Sequence, residues 1–262
     1  VGLGGLPPEV KQSLLSERMQ HGDLVFFPTV EDGHCHISME KAFSWWWWAA
    51  ATNVPHIARV DDDTFLHLPN LQRLLQPIAC HTHLVYGVLA FVGYNPHTFR
   101  KCGFSWRGDG NWRRYGCAAT GSHEPTIFAS GMLQILSLNV VKALASSTLV
   151  KTFVERATLS IDLNDWDRTE DVALGYVLTQ LLMLEDASSI SPLVFVRAEP
   201  KQAHNLGCQK HDALYRHPKP HTSVAIHYVK KPSGFEYIRK VLDGEITHGG
   251  KACTRAAGVG RR

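Results

Sequence analysis

No stretch of this chain approaches the roughly 18–20 consecutive apolar residues that a membrane helix requires. The richest candidate, "FSWWWWAAA" (43–51), is short and lies among polar and charged groups. Paired cysteines are missing as well. The six cysteines stand far apart, at 35, 80, 102, 117, 208 and 253, with no C-x-x-C pair. That removes a zinc-ribbon reading and leaves two or three disulfides, or free buried thiols, as the alternatives. Strong charge is absent too: a net +3 over 262 residues is too weak to argue for nucleic-acid binding. There is no internal repeat and no low-complexity linker. The opening "VGLGG" has neither the charged nor the apolar region of a signal peptide, so the expectation is a cytosolic protein or a chain lacking an N-terminal segment. Basic residues gather at the end ("KKPSGFEYIRK", "TRAAGVGRR") and read as a solvated tail. A single domain over 1–245 followed by a basic flexible tail at 246–262 is therefore expected.

What is present is an alternation of short β-forming runs with helical stretches. "DLVFFPTV" (23–30), "VPHIARV" (54–60), "HLVYGVLAFV" (83–92), "TIFASGMLQILS", "PLVFVRAE" and "TSVAIHYVK" read as strands. "ISMEKAFSWWWWAAAT" (37–52), "LPNLQRLLQPI", "LNVVKALASS" and "TEDVALGYVLTQLLML" (169–184) read as helices, with Trp47 the expected core tryptophan. Residues 101–125, rich in Gly, Arg, Trp and His, read as a long loop. The pattern predicts an α/β fold with a mixed, mostly parallel sheet flanked by helices.

Three consecutive aspartates, Asp61, Asp62 and Asp63, stand at the end of the second predicted strand. In extended geometry Asp61 and Asp63 share a side, and two carboxylates that close repel unless a cation lies between them. One reading is a D-x-D site for Mg²⁺ or Mn²⁺ and a phosphorylated substrate. The other is a solvated Asx-turn capping the following helix. Placement at the carboxyl end of a strand, where open α/β sheets bind ligands, favours the metal. A phosphatase of the haloacid-dehalogenase type is disfavoured, because its D-x-D-x-T/V pattern would meet Phe65 at the fifth position. "GHCH" (33–36) lacks partner spacing and reads as loop chemistry.

The blocks "ERMQHGDLVFFPTVEDG", "HISMEKAFSWWWWAA", "ARVDDDTFLHLPNLQRLL", "FASGMLQILSLNVVKAL" and "EDVALGYVL", in that order between residues 17 and 178, resemble those of the β-1,3-galactosyltransferase, β-1,3-N-acetylglucosaminyltransferase and Fringe group of inverting glycosyltransferases. "ERMQHGDLVFFPTVEDG" is similar to the family's E-x3-h/y-G-D-h segment at Glu17, Gly22 and Asp23. "HISMEKAFSWWWWAA" is similar to its N-L-T-x-K-x6-W helix, with Glu40 in the lysine place. "ARVDDDTFLHLPNLQRLL" matches its DDD block, "FASGMLQILSLNVVKAL" aligns Gly131 and Ser137, and "EDVALGYVL" matches E-D-V-x-x-G-x-x-L.

The resemblance implies a GT-A-like (Rossmann-like) fold, a UDP-sugar donor, Mn²⁺ or Mg²⁺, and transfer of galactose or N-acetylglucosamine to a glycan or glycoprotein hydroxyl. By position, Asp61 and Asp62 would approach the ribose and diphosphate, and Asp63, with Asp61, would hold the metal. His227 is the expected C-terminal metal ligand, in preference to His221, and Lys230 or Lys231 is a candidate for the diphosphate. Asp171 would be the general base, with Glu170 and Gly131 on the acceptor side. The resemblance also implies a type II membrane protein of the Golgi or ER lumen, whose anchor is not in this chain. The family's uridine-holding segment has no counterpart before Glu17, which predicts weakened or no donor binding. The alternative is a non-catalytic carbohydrate-binding relative with a degenerate nucleotide site.

Overall fold

A computed structural model describes residues 2–4, 6–31, 38–97, 99–105, 126–159, 170–184, 192–206 and 215–246. In chain order the elements are β1 (Gly2–Gly4), α1 (Pro8–His21), β2 (Phe27–Glu31), α2 (Ser38–Ala49), β3 (His56–Arg59), β4 (Phe65–Leu66), α3 (Leu68–Leu75), β5 (Leu84–Asn95) and β6 (Arg100–Ser105). They continue with β7 (Thr126–Ser137), α4 (Leu138–Ser146), α5 (Thr148–Leu159), α6 (Glu170–Leu184), β8 (Val194–Arg197), β9 (Ala203–Leu206), β10 (Tyr215–Arg216), β11 (Ala225–His227) and α7 (Pro232–Leu242). Among the described residues no helix is long and apolar enough to cross a membrane. The "GHCH" stretch, most of the 101–125 segment, Cys35, Cys117, Cys208, Cys253 and the basic tail from 247 lie outside the described residues. Cys80 is a free, exposed thiol.

The chain forms two compact units, one of Val1–Val54, Ala90–Phe128 and Leu138–Ser191, the other of Pro55–Leu89, Ala129–Ser137 and Pro192–Arg262. The first is helical at its centre. On α2 the buried residues are Met39, Ala42, Phe43, Trp46 and Ala49, a three-and-four spacing that makes one apolar stripe. That stripe selects Trp46, with no exposed surface, rather than the expected Trp47. Its neighbours turn away: Trp45 and Trp48 stack on each other at 5.2 Å, and Trp48 is exposed. Helix α2 packs on α4, α5 and α6, burying Val140, Val141, Leu144, Val150, Val154 and Val177. Tyr94, Phe99, Phe153 and Tyr176 form an aromatic cluster with centroids 5.0–6.2 Å apart. Gly175 lets α6 lie directly on β7, because a Cβ there would strike the Ile127 carbonyl and Phe128. Helix α1 ends at Gly22, whose φ of 69° suits glycine, and its N–H reaches the Arg18 carbonyl at 2.8 Å.

The second unit holds a four-stranded sheet of order β10-β9-β11-β4. It also holds the pairing of β3 with the last residues of β7 and of β8 with the first residues of β5. Its core gathers Leu71, Leu84, Tyr86, Leu133, Ile135, Ala203 and Ala225. A second cluster, Leu206, Ile226, Val229, Tyr237, Ile238 and Val241, lies under α7. Ser137 shows what its block contributes: its hydroxyl donates to the Thr82 carbonyl at 2.7 Å and accepts the Leu84 N–H at 2.9 Å, tying the end of β7 to the start of β5. Gln134, with no exposed surface, donates to the Ala129 carbonyl at 2.7 Å and accepts from Arg59 at 3.0 Å.

The sheets are mixed rather than mostly parallel. Parallel pairs (β1–β2, β9–β10, β9–β11, β5–β8) stand beside antiparallel ones (β3–β7, β4–β11, β5–β6). Strand β6 begins at Arg100, only a few residues after β5, and runs into the stretch expected to be loop. Asn95 accepts the His97 N–H at 2.9 Å in the turn between them, and so short a connection permits only an antiparallel partner. The strand expected at 23–30 is realised as β2, Phe27–Glu31, which includes Pro28 and is one strand of a two-stranded ribbon. Among the described residues β2 pairs with β1 alone, and an edge strand tolerates a residue that cannot donate.

Candidate metal centre

Strand β3 ends at Arg59, and the chain then turns rather than running on extended. The Thr64 N–H closes on the Asp61 carbonyl at 3.0 Å, a β-turn that contains Asp62 and Asp63. Asp61 and Asp63 are therefore brought together by a turn, not by strand alternation. Nor do the aspartates cap a helix. Strand β4 intervenes before α3, whose N-cap is His67 and carries no side-chain capping bond.

Strand β4 joins this turn to the C-terminal part of the chain. It pairs antiparallel with β11, Leu66 against Ala225 and Phe65 against Ile226. The residues just before β4 thus meet those just after β11. Four more bonds fix the register: His67 N–H to the Val224 carbonyl at 2.8 Å, Val229 N–H to the Asp63 carbonyl at 2.9 Å, and the Asn70 amide to the carbonyls of Pro220 and Ser223 at 2.9 and 2.7 Å.

His227 Nε2 consequently lies 2.9 Å from Asp63 Oδ1 and 3.5 Å from Asp61 Oδ2. One ligand atom from each of Asp61, Asp63 and His227 falls within 4.8 Å of the others, a group that can hold a metal ion. Burial holds His227 below the ordinary histidine value, against the opposing pull of Asp63 and Asp61, so its ring is uncharged at neutral pH. Two carboxylate oxygens and a neutral imidazole nitrogen form a donor set that suits a divalent metal ion.

Lys230 also pairs with Asp63, a bond that raises its pKa above the ordinary lysine value. Together with Asp62, Asp63, Val229, Lys231, Pro232 and Phe235 it lines an open cleft of about 560 Å³. Helix α7 starts at Pro232, so the positive end of its dipole borders the cleft. Tyr228 takes a left-handed backbone (φ 63°), which costs a non-glycine residue about 1–2 kcal/mol. This turn aims His227 and Lys230 at the same carboxylate. The Tyr228 ring stacks on His227 at 4.0 Å.

The other expected site residues fall in different places. Asp62 is exposed within the cleft lining. His221 is exposed and is not part of the Asp61, Asp63 and His227 group. Glu170 and Asp171 belong to the other unit, in the first turn of α6, where Asp171 Oδ1 accepts the Val172 N–H at 2.8 Å. Gly131 is the floor of Asp61. Its carbonyl accepts the Asp61 N–H at 3.0 Å, and a Cβ on it would stand 2.6 and 2.9 Å from the Asp61 carboxylate oxygens. Gly131→Ala should thus displace Asp61 and lower Mn²⁺ affinity about tenfold or more while the protein stays folded. Unchanged affinity in a Mn²⁺ titration of this variant would remove Gly131 from the site.

A further polar pair, His204 and Ser223, has the spacing of a base and its nucleophile, but both side chains are buried, Ser223 completely. Ser223 Oγ accepts the Lys219 N–H at 2.9 Å and faces His204 Nε2 at 2.9 Å, while His204 Nδ1 faces the Asn205 carbonyl at 3.1 Å. One arrangement satisfies every group: His204 donates from Nδ1, and Ser223 donates to Nε2. The pair is a structural pin. Burial pushes the His204 imidazole down to about 4, whereas an unfolded histidine titrates near ~6.5. Between those values the unfolded chain binds the extra proton, so stability falls as pH drops through this window and is unaffected by His204 above it. The loss should reach roughly 3 kcal/mol at pH 4. Urea midpoints at pH 7, 5.5 and 4.5 read it, and His204→Gln should flatten the slope.

Comparison with protein-family models and with curated proteins finds no match to this chain. The fold and the site define a mixed α/β protein with an Asp-Asp-His group able to hold a metal ion.

Proposed function

We propose that the chain is a metal-dependent inverting hexosyltransferase of GT-A-like fold. It takes galactose or N-acetylglucosamine from a UDP-sugar and joins it to a glycan or glycoprotein hydroxyl in a β-1,3 linkage. The observation that carries this reading is the convergence of Asp61, Asp63 and His227 beside a cleft lined by Lys230, Lys231 and the start of α7. Carboxylates and imidazole suit a divalent cation, while lysines and a helix N-terminus suit phosphate oxygens. A nucleoside diphosphate bridged to a cation needs both, side by side.

In this reading Asp63, Asp61 and His227 hold Mn²⁺ or Mg²⁺. A bound cation supplies positive charge that stabilises the departing diphosphate. Lys230 and Lys231 bind the diphosphate oxygens, and Asp62 reaches the ribose hydroxyls. Asp171 takes the proton of the acceptor hydroxyl, whose oxygen bonds to the anomeric carbon as the bond from that carbon to the diphosphate oxygen breaks. Glu170 binds acceptor hydroxyls. A single displacement inverts the anomeric centre and releases UDP.

The test is UDP release from UDP-galactose and UDP-N-acetylglucosamine with Mn²⁺ and a panel of sugar acceptors, the linkage being read by NMR. Mn²⁺-dependent release with a β-linked product is expected. Glycan binding with no detectable UDP–Mn²⁺ binding in calorimetry would assign the chain to the non-catalytic carbohydrate-binding class instead.

A further inference from the structure

Asn205 stands opposite His227. Strands β9 and β11 run parallel with Asn205 registered against His227, so the two side chains share one face of the sheet. Asn205 is buried at 7% exposure, and its Oδ1 lies 3.1 Å from His227 Nδ1. The opposite ring nitrogen, Nε2, is the one that meets Asp63 and Asp61.

A neutral imidazole has one N–H and one lone pair, and the partner of one nitrogen decides the role of the other. Asn205 Oδ1 can only accept, so it draws the proton to Nδ1. The Nε2 lone pair then faces the carboxylate oxygens. Three acceptors converging on one point suit a cation. Asn205 is itself held firmly, because its carbonyl receives His204 Nδ1 and its strand is paired on both sides, with β10 and β11.

We propose that Asn205 is a positioning residue for metal binding: it fixes the His227 tautomer and ring orientation so that Nε2 is presented as a ligand. This deepens, and rests on, the metal-centre reading above. Nothing in the order of the residues announces it. Asn205 lies 22 positions from His227, in a strand of sequence Ala-His-Asn-Leu that has no long apolar run.

The experiment uses the full chain and MnCl₂ alone, with free Mn²⁺ followed by electron paramagnetic resonance. Asn205→Leu, similar in size but unable to accept, should weaken Mn²⁺ binding about 10- to 100-fold. Asn205→Asp keeps an acceptor and should stay within a few-fold of the unmodified protein. Equal affinity of a folded Asn205→Leu protein would overturn the positioning role and leave the metal centre standing. Absence of Mn²⁺ binding by the unmodified protein would overturn the metal centre, and this proposal with it. A second measurement does not depend on the variants folding. Long-range ¹H–¹⁵N NMR of the unmodified protein with Mg²⁺ should show His227 protonated at Nδ1, and a proton on Nε2 would refute the assignment.

Discussion

Asp63→Ala should abolish Mn²⁺-dependent transfer, lowering kcat/KM by about a thousandfold or more. A metal acting as Lewis acid on a leaving diphosphate contributes several kcal/mol to the transition state, and about 4 kcal/mol corresponds to that factor. Asp63 is the residue at which every element of the site meets. His227 Nε2 lies at 2.9 Å, Lys230 pairs with it, and its side chain is only 12% exposed. Its loss should leave the fold intact. The Val229 N–H bonds to the main-chain carbonyl of Asp63, which alanine keeps, and the ion pair with the mostly exposed Lys230 contributes little to stability. Removing one of two adjacent carboxylates also relieves repulsion. The metal-free variant should therefore melt no lower than the unmodified protein, as is common where a site is built against stability.

Mn²⁺ provides the sharper readout. Metal at a hundred times Kd stabilises a protein that binds it only when folded by about 2.7 kcal/mol, and the melting temperature rises accordingly. That gain should be present in the unmodified protein and missing in Asp63→Ala. A variant still stabilised by Mn²⁺ to the same extent would exclude Asp63 as a ligand.

Much of this site could be read along the chain because its chemistry is concentrated in one short segment. Three aspartates at the end of an apolar run raise an electrostatic question that composition alone poses, and His227 is marked out by lying within a strand-like run. The geometry joining them could not be read, because it depends on long-range pairing. The β4–β11 ladder links residues about 160 positions apart, and β4 is only two residues long. Such a strand carries no periodic signal. The aspartates were expected in extended geometry, and the turn closed by Thr64 achieves the same convergence by a different backbone path.

The tryptophans illustrate a different difficulty. Four in a row leave the phase of the helix ambiguous by hydrophobicity, and only Met39, Ala42 and Phe43 upstream reveal that Trp46 continues the buried stripe. Likewise, alternating strands and helices pointed to a mostly parallel sheet, but they say nothing about hairpins such as β5–β6. The short separation of those two strands, rather than their composition, dictates the antiparallel pairing.

Asp171→Asn should lower kcat by about 10²- to 10⁴-fold, the range for loss of a general base, with Mn²⁺ and UDP affinities unchanged. Asp171 lies in the first turn of α6, and its Oδ1 accepts the Val172 N–H at 2.8 Å. The positive end of the helix dipole favours the ionised carboxylate there, which is the form that can accept a proton. Asparagine keeps an oxygen for the Val172 N–H and so preserves the helix start, but it cannot take up the proton. The substitution thus separates a chemical role from a capping role. If Asp171 only stabilises the helix, Asp171→Asn should be nearly silent in kcat, and Asp171→Ala should reduce stability by about 1 kcal/mol. If it is the base, both variants should lose turnover to a similar degree whatever their stability. Glu170, its neighbour in the same turn, is the control: Glu170→Gln should raise KM for the acceptor more than it lowers kcat, because binding hydroxyls is a ground-state contribution. Full turnover in Asp171→Asn alongside intact Mn²⁺ dependence would transfer the base role to another residue and leave the metal centre in place.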